Sequence, residues 1–399
     1  VSGRLDVAVI HDLPEAGGAY RVLAEVLAQL PQHRFTVYTP RPEPASGARL
    51  VGLPAGVSVT RIVPPALRPS TPADRYRELW ALPRRGRVLA RAVDGGGHDV
   101  ALVLPTELTG GSEVLPALAT TPSLTYVPEP LRTAYEPEPD FARPEGLRWT
   151  LTRRGLNPFE RKRIALDQRA VRAATRVVTH SDFTAAAVRD LYGRDAEVVP
   201  LGVRVEDFAP PVGATDDLRP RERRVLAIGA LHPLKGHDFV IEALATIPRS
   251  RRPPLTIVGD RGLVERQLRD LAAARGVELD LRQAIPFPEL VGLYHRCGVL
   301  AAGQIREPFG LVTLEAMAAE LPVVAVDEGG FRETVHAGVT GLRLPRDAQQ
   351  FGAALVAVLD GEDGAVAERV VAAAADVRER WGWASTAAAY ERLLIEVAA

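Results

Sequence analysis

One pattern occurs twice along the chain and restricts its fold more than any other feature. Short β-branched runs appear at LDVAVIHD (5–12), FTVYTP (35–40), VSVTRIV (57–63), DVALVLP (99–105), PSLTYVP (122–128), RVVTHS (176–181) and AEVVPLG (196–202). Most are separated by stretches of helical period, such as 19–30 and 184–192. A second series follows at RVLAIGA (224–230), PLTIVGD (254–260), VELDLR (277–282), GVLAAG (298–303) and PVVAVD (322–327). Runs this continuously apolar are buried on both faces, and the helices between them supply the crossovers that parallel pairing requires. EDFAPPVGATDDLRPRERR (206–224), rich in proline and charge, divides the two series and reads as a linker. The chain therefore reads as α/β, with a Rossmann-like parallel-sheet domain at 1–205, a linker at 206–223 and a second such domain at 224–380.

Composition excludes several classes. With 399 residues, 46% hydrophobic and 25% charged, the chain is long enough for two ordinary domains. Its formal net charge of -1 provides no global field for nucleic acid or an anionic membrane. The single cysteine, Cys297, rules out an intrachain disulfide framework, sits in an apolar run and suits a reducing compartment. No apolar run approaches the roughly 18 residues of a spanning helix. Residues 1–6 lack the basic start and apolar core of a signal peptide, so the expected location is cytoplasmic.

The unusual residues fall where strands end. Gly17 and Gly18 follow the first run, Pro128 and Glu129 the fifth, and Lys235 the first run of the second series. Glu307 follows 298–303, and Glu328, Gly329 and Gly330 close 322–327. Open parallel sheets bind ligands at these carboxyl ends, and two such edges facing one another would form a cleft. In REPFGLVTLEAMA (306–318), Pro308 and Gly310 punctuate a turn, and a helix should begin near Gly310 or Leu311. Its first amides and positive dipole end would form a phosphate site. Glu315 lies in the apolar stripe of that helix, where a carboxylate is costly unless hydrogen-bonded. Either a ribose diol or the amides of a neighbouring loop would satisfy it. Glu307 either accepts hydrogen bonds from ligand hydroxyls or is solvated.

EPFGLVTLEAMAAELPVVAVDEGGFRETVHAGVTGLRLP (307–345) resembles the nucleotide-sugar signature of the family 4 retaining glycosyltransferases, enzymes of the GT-B fold. VAVIHDLPEAGGAYRVL, VVTHSDFTAAAV, VVPLGVRVEDF, IGALHPLKGHDFVIEAL and WGWASTAAAYERLL extend the resemblance over most of the chain. It implies two domains facing a cleft, the first on the acceptor side and the second binding the nucleotide sugar, with a C-terminal helix (381–399) packing back on the first domain. By matching position, Glu307 would bind donor-sugar hydroxyls and Glu315 the ribose, while the amides around Phe309, Gly310 and Leu311 would hold the distal phosphate. Lys235 would neutralise the diphosphate; it is one of only two lysines, with Lys162, in a chain whose positive charge is nearly all arginine. Gly17 and Gly18 would let the first loop approach the diphosphate or acceptor closely, or would only cap the following helix. The implied chemistry needs a nucleotide sugar and a hydroxyl acceptor but no cofactor, and the chain has neither an Asp-x-Asp sequence nor a Cys/His cluster to hold a metal.

The chain departs from the family pattern at two places. Ala230 stands where an arginine usually shares the phosphate charge, leaving Lys235 alone or assisted by His232 or another arginine. Pro128 stands near a usual histidine, so Glu129 takes part of that role or the donor needs no such contact. Three other classes compete. A dehydrogenase is disfavoured because HDLPEAGGAY lacks the Gly-x-Gly-x-x-Gly spacing, whereas a sugar-nucleotide epimerase of the same fold, or a non-catalytic sugar-nucleotide binder, would keep the nucleotide half. The basic run at 148–176, nine basic residues against two acidic, fits a solvated helix face with Ile164, Ala165 and Val171 inward better than a peripheral membrane contact.

Overall fold

The structure is a computed structural model, described for residues 3–12, 18–40, 53–54, 56–61, 71–106, 108–135, 158–210, 221–260, 262 and 264–399. The chain divides into two compact units, one holding 1–137, 144–201 and 383–399 and the other chiefly 202–382. Gly17 and residues 136–157, which include most of the basic run's first half, lie outside the described residues.

The first unit is built on a seven-stranded sheet. Its strands are β1 (Asp6–Asp12), β2 (Arg34–Thr39), β3 (Ser58–Arg61), β4 (Val100–Thr106), β5 (Ser123–Tyr126), β6 (Arg176–Thr179) and β7 (Glu197–Val198). All pair in parallel, in the order β3-β2-β1-β4-β5-β6-β7. Val7, Ala8, Val9, Val100, Ala101 and Val103 are fully buried, as expected of strands covered on both faces. The order reverses between β1 and β4, the switch point at which such sheets open a crevice.

The C-terminal helix, Trp383–Ala398, belongs to this first unit. Thr386 Oγ1 donates to the Pro200 carbonyl at 2.8 Å, and Tyr390 meets Tyr126 edge-on at 6.4 Å between centroids. Glu391 accepts from Gln32 at 2.8 Å and pairs with His33 at 2.9 Å.

The basic run's described helix is Pro158–Ala173, and its buried face is Leu166, Asp167, Ala170 and Val171. Ala165, expected inward, is exposed. The helix is turned by a buried carboxylate: Asp167 accepts from the Gly111 amide (2.8 Å), Tyr135 Oη (2.8 Å) and Tyr192 Oη (2.9 Å). Burial pushes the Asp167 carboxyl up, and these three donors oppose the shift.

The second unit repeats the plan with six strands: β8 (Glu222–Ile228), β9 (Leu255–Gly259), β10 (Leu279–Gln283), β11 (Cys297–Ala302), β12 (Val323–Val326) and β13 (Leu342–Leu344). The order is β10-β9-β8-β11-β12-β13, all parallel, with the switch point between β8 and β11. Val225, Leu226, Val299 and Leu300 are fully buried at its centre. Cys297 is also fully buried, and burial pushes its thiol up to about 11, so it packs as an inert apolar group.

Arg221 is placed by sequence within the linker, yet it is anchored in the second unit. Its guanidinium donates to the carbonyls of Tyr294 (2.7 Å), His295 (3.1 Å), Cys297 (3.1 Å), Ala319 (2.8 Å) and Glu320 (3.0 Å). Those carbonyls close the helices Phe287–Arg296 and Leu311–Ala318, so one cation satisfies two negative helix ends at once.

Candidate functional site

Two loops at the β8/β11 switch point carry the central pair. After β8 the chain runs Gly229 to Gly236, including a single 3-10 turn at Pro233–Lys235. His232 caps that turn, its Nδ1 accepting from the Leu234 amide at 3.2 Å. Gly236 then adopts φ 60° and opens the helix His237–Ala245. After β11 the chain turns at Arg306, a non-glycine residue at φ 47°, and reaches Glu307. Lys235 Nζ meets Glu307 Oε2 at 2.8 Å, with the two side chains 30% and 18% exposed.

Close packing keeps these loops in register. A Cβ on Gly236 would come within 1.8 Å of the Gly303 carbonyl, so the two backbones touch directly. A Cβ on Gly229 would meet the Lys235 stem at 3.3 Å, so the lysine lies across that glycine. His237, at 2% exposure, sits under the turn with Nε2 at 3.1 Å from the Gly229 carbonyl. Burial pushes its pKa down to about 4, Lys235 adds to the shift and the carbonyl contacts oppose it; the ring is neutral near neutral pH.

The loop after β12 holds the other side of Glu307. The Gly330 amide donates to the Glu307 carbonyl at 2.7 Å, and the Arg306 amide to Glu328 Oε2 at 3.1 Å. Glu328 is paired with Arg346 (2.7 Å), which also donates to the carbonyls of Gly303 and Gln304, both at 2.9 Å. Burial alone would push the Glu328 carboxyl up; the Arg346 guanidinium and the Arg306 amide outweigh it and hold the group below its ordinary range. Glu307 is therefore fixed by its backbone on one side and its carboxylate on the other.

Leu311–Ala318 forms the helix expected after the Pro-Phe-Gly turn. Gly310 caps it at φ 99°, and a Cβ there would strike the Phe331 ring at 2.6 Å. Thr313 turns its amide (3.0 Å) and its hydroxyl (2.7 Å) onto the Gly310 carbonyl. Leu311 and Val312 begin the helix, where amides have no partner within it. Phe309 is buried with its ring against Trp381 at 5.6 Å, so what it can offer a ligand is backbone.

Glu315 is 7% exposed, and its Oε2 accepts from Tyr294 Oη at 2.8 Å. Tyr294 itself is fully buried. One partner of this carboxylate is thus a tyrosine from the preceding helix, and Arg221 ties together the ends of the two helices that bear them.

The second unit thus brings together Lys235, Glu307, His232, Gly310 and Leu311, with Glu315 further along the same helix. Gly18 begins the helix Gly18–Gln29 in the first unit, and Glu129 there pairs with Arg132 at 3.4 Å. Sequence reasoning missed Tyr294, His237, Arg346 and Arg221. Only His237, directly after the Lys-Gly pair and opening a helix, carried a local signal.

Residues 216–376 match the family described as glycosyl transferases group 1, and residues 16–207 match Glycosyltransferase Family 4. The chain belongs to glycosyltransferase family 4. Among curated relatives, a D-inositol 3-phosphate glycosyltransferase of Kineococcus radiotolerans is 35% identical over 263 residues, 59% of this chain and 60% of the relative. Another of that name from Geodermatophilus obscurus is 36% identical over 225 residues, 51% of this chain and 50% of the relative. The match thus spans half to three fifths of these relatives' length. Among solved structures, a sucrose-phosphate synthase from Thermosynechococcus elongatus aligns over 99% of both chains with TM-score 0.78 and 20% identity. An Anabaena protein solved with UDP and glucose aligns over 98% of this chain and 100% of its own, with TM-score 0.70 and 18% identity. At such identities the likeness is one of fold: each unit of this family 4 chain has the Rossmann-like architecture of the GT-B enzymes.

Proposed function

We propose that this family 4 chain is a retaining glycosyltransferase that moves a sugar from a nucleoside diphosphate sugar to an acceptor hydroxyl without a metal ion. The observation that carries the reading is the Lys235–Glu307 pair at the β8/β11 switch point. An ammonium and a carboxylate there match a donor's two chemical ends, a diphosphate and a ring of hydroxyls. With donor bound, Lys235 and the amides at Gly310 and Leu311 would meet the diphosphate, and Glu307 would accept from sugar hydroxyls. Glu315, oriented by Tyr294, would accept from the ribose. UDP is favoured over GDP because structural neighbours were solved with UDP and UDP-glucose.

In the reaction the bond between the anomeric carbon and the diphosphate oxygen breaks, and negative charge grows on the leaving group. Lys235 and the preorganised helix amides stabilise it at that moment. The acceptor oxygen attacks the same face of the sugar, and its proton passes to the departing phosphate. Glu307 holds the sugar and is not assigned as a covalent nucleophile. A nucleotide-sugar co-substrate and a buried, unbridged Cys297 support a cytoplasmic setting. No described helix is long and apolar enough to cross a membrane.

The test is a donor screen by mass spectrometry with UDP-, GDP- and dTDP-sugars against a broad acceptor panel. A glycosylated product with retained anomeric configuration supports the reading. Conversion of the donor sugar without any acceptor would make the protein an epimerase, and binding without turnover would make it a sugar-nucleotide binder.

A further inference from the structure

The first unit has its own cleft, open to solvent, at the point where its strand order reverses. Ile10 and Asp12 at the end of β1, and Leu104 and Thr106 at the end of β4, form its floor. The helix Pro72–Gly95 forms a wall through Leu82 and Leu89, and the segment after β4 closes it with Ser112 and Glu113. The cleft is prebuilt. A Cβ on Gly86 of that helix would lie 2.1 Å from the Glu113 carbonyl, so helix and segment touch backbone to backbone. The turn after β4 is closed by the reciprocal Thr106 and Gly110 bonds of 2.9 and 3.1 Å.

The charge of this cleft is distinctive. Its described lining carries three carboxylates, Asp12, Glu78 and Glu113, and one basic side chain, Arg85. Arg85 is committed to Glu78, donating from Nη1 at 3.3 Å. Glu113 is 4% exposed; Arg169 holds its Oε2, and its Oε1 is buried with no hydrogen-bond partner among the described residues. Leaving a buried carboxylate oxygen unmatched is costly, so a ligand that donates a hydrogen bond would be favoured at such a lining over a phosphate, whose oxygens only accept.

We propose that this cleft takes the acceptor, and that the acceptor is a non-anionic glycoside with an apolar face and hydroxyl or amine donors, not a phosphate ester. The inference rests on the glycosyltransferase reading. It deepens that reading by naming the acceptor's charge class. Apolar Leu82, Leu89 and Leu104 would pack against the aglycone or the sugar's apolar face, while Asp12, Glu113 and Ser112 would receive its donors.

The test uses the full chain, the nucleotide sugar chosen by the donor screen and two acceptor sets. One set is neutral p-nitrophenyl glycosides; the other is glucose 6-phosphate and an inositol phosphate. We expect kcat/KM to favour the best neutral glycoside by at least about tenfold, the order of one buried hydrogen bond made or left unmade. Leu82→Trp, which fills the cleft, should cut transfer by a similar factor while leaving UDP affinity by calorimetry unchanged. Glu113→Gln, nearly isosteric, should narrow the discrimination against phosphate esters. A preference for the phosphate esters, or an unaltered Leu82→Trp in transfer, would overturn the proposal. If no glycoside turns over, saturation-transfer NMR with the same glycosides decides: no binding, or binding equal in wild type and Leu82→Trp, overturns it too. Failure of the wild type to bind any nucleoside diphosphate would instead count against the donor site in the second unit.

Discussion

Replacing Lys235 by alanine should damage turnover far more than nucleotide binding. The ammonium stands 2.8 Å from Glu307 Oε2, at the loop end where the leaving diphosphate would gather charge. Two unit charges about 4 Å apart interact by roughly 4 kcal/mol at an effective dielectric of 20. Lys235 and Glu307 are 30% and 18% exposed, so part of that is screened. About 2 to 3 kcal/mol should remain in the transition state, which is roughly 30- to 160-fold in kcat/KM. UMP lacks the distal phosphate, so its affinity should fall no more than about threefold. Removing the lysine also leaves Glu307 facing the diphosphate as an unneutralised charge. Lys235→Ala combined with Glu307→Gln should therefore recover part of the lost UDP affinity, though not the lost turnover. The assays are initial rates of UDP release and calorimetry with UMP and UDP on all three variants. Equal losses in UMP binding and in kcat/KM would refute the argument, because the lysine would then act on the whole nucleotide rather than on the leaving group.

Four further outcomes are expected. Glu315→Ala should weaken UDP by about 1.5 to 3 kcal/mol and Tyr294→Phe by about 1 kcal/mol, read by calorimetry, since one removes a charged hydrogen-bond acceptor and the other only its orienting partner; unchanged affinities in folded variants would make the pair purely structural. EDTA should leave wild-type activity intact in a coupled rate assay, and a strict Mg2+ requirement would contradict charge stabilisation by Lys235 and helix amides. Gly236→Ala should lower both Tm and kcat, because its Cβ would meet the Gly303 carbonyl at 1.8 Å and φ is 60°; a variant indistinguishable from wild type would show that the seam yields. His237, pushed down to about 4 by burial, stays neutral in the fold, so its contribution is full above the ordinary value of 6.5 and is lost as pH falls from there toward 4. Its slope is at most about 1.4 kcal/mol per pH unit, and urea unfolding at pH 7 and 5 should show a shallower loss in His237→Gln.

What could be read in advance was what is local. The central strands were legible because both faces of each are buried, and the Glu-Pro-Phe-Gly turn because proline fixes φ and glycine admits positive φ whatever surrounds them. Lys235 stood out by type, one of two lysines among many arginines. The partners were not legible. Tyr294 is an unremarkable aromatic in an amphipathic helix, and its hydrogen bond to Glu315 depends on how two helices are phased across the sheet. Asp167 misled the reading of its helix, since a carboxylate in a basic run looks solvated until three donors from separate segments are seen to converge on it. Arg221 looked like linker charge because its five acceptors are backbone carbonyls, which leave no trace in side-chain pattern. β13, only three residues long, falls below the length at which period can be recognised.

The contact between Gly236 and Gly303 bears on how the Lys235–Glu307 pair can change over generations. Lys235 and Glu307 lie just beyond the two glycines, and their spacing depends on a joint that contains no side chain. A joint made of packed side chains can be adjusted methyl by methyl, each step a small trade in volume. Backbone resting on backbone offers no such gradation, because the smallest available addition already overlaps a carbonyl. Variation in what the pair binds must therefore enter through the identities of the residues displayed or through neighbouring loops. The distance between the two loop ends behaves as a heritable constant of the scaffold, kept whole or lost with the site.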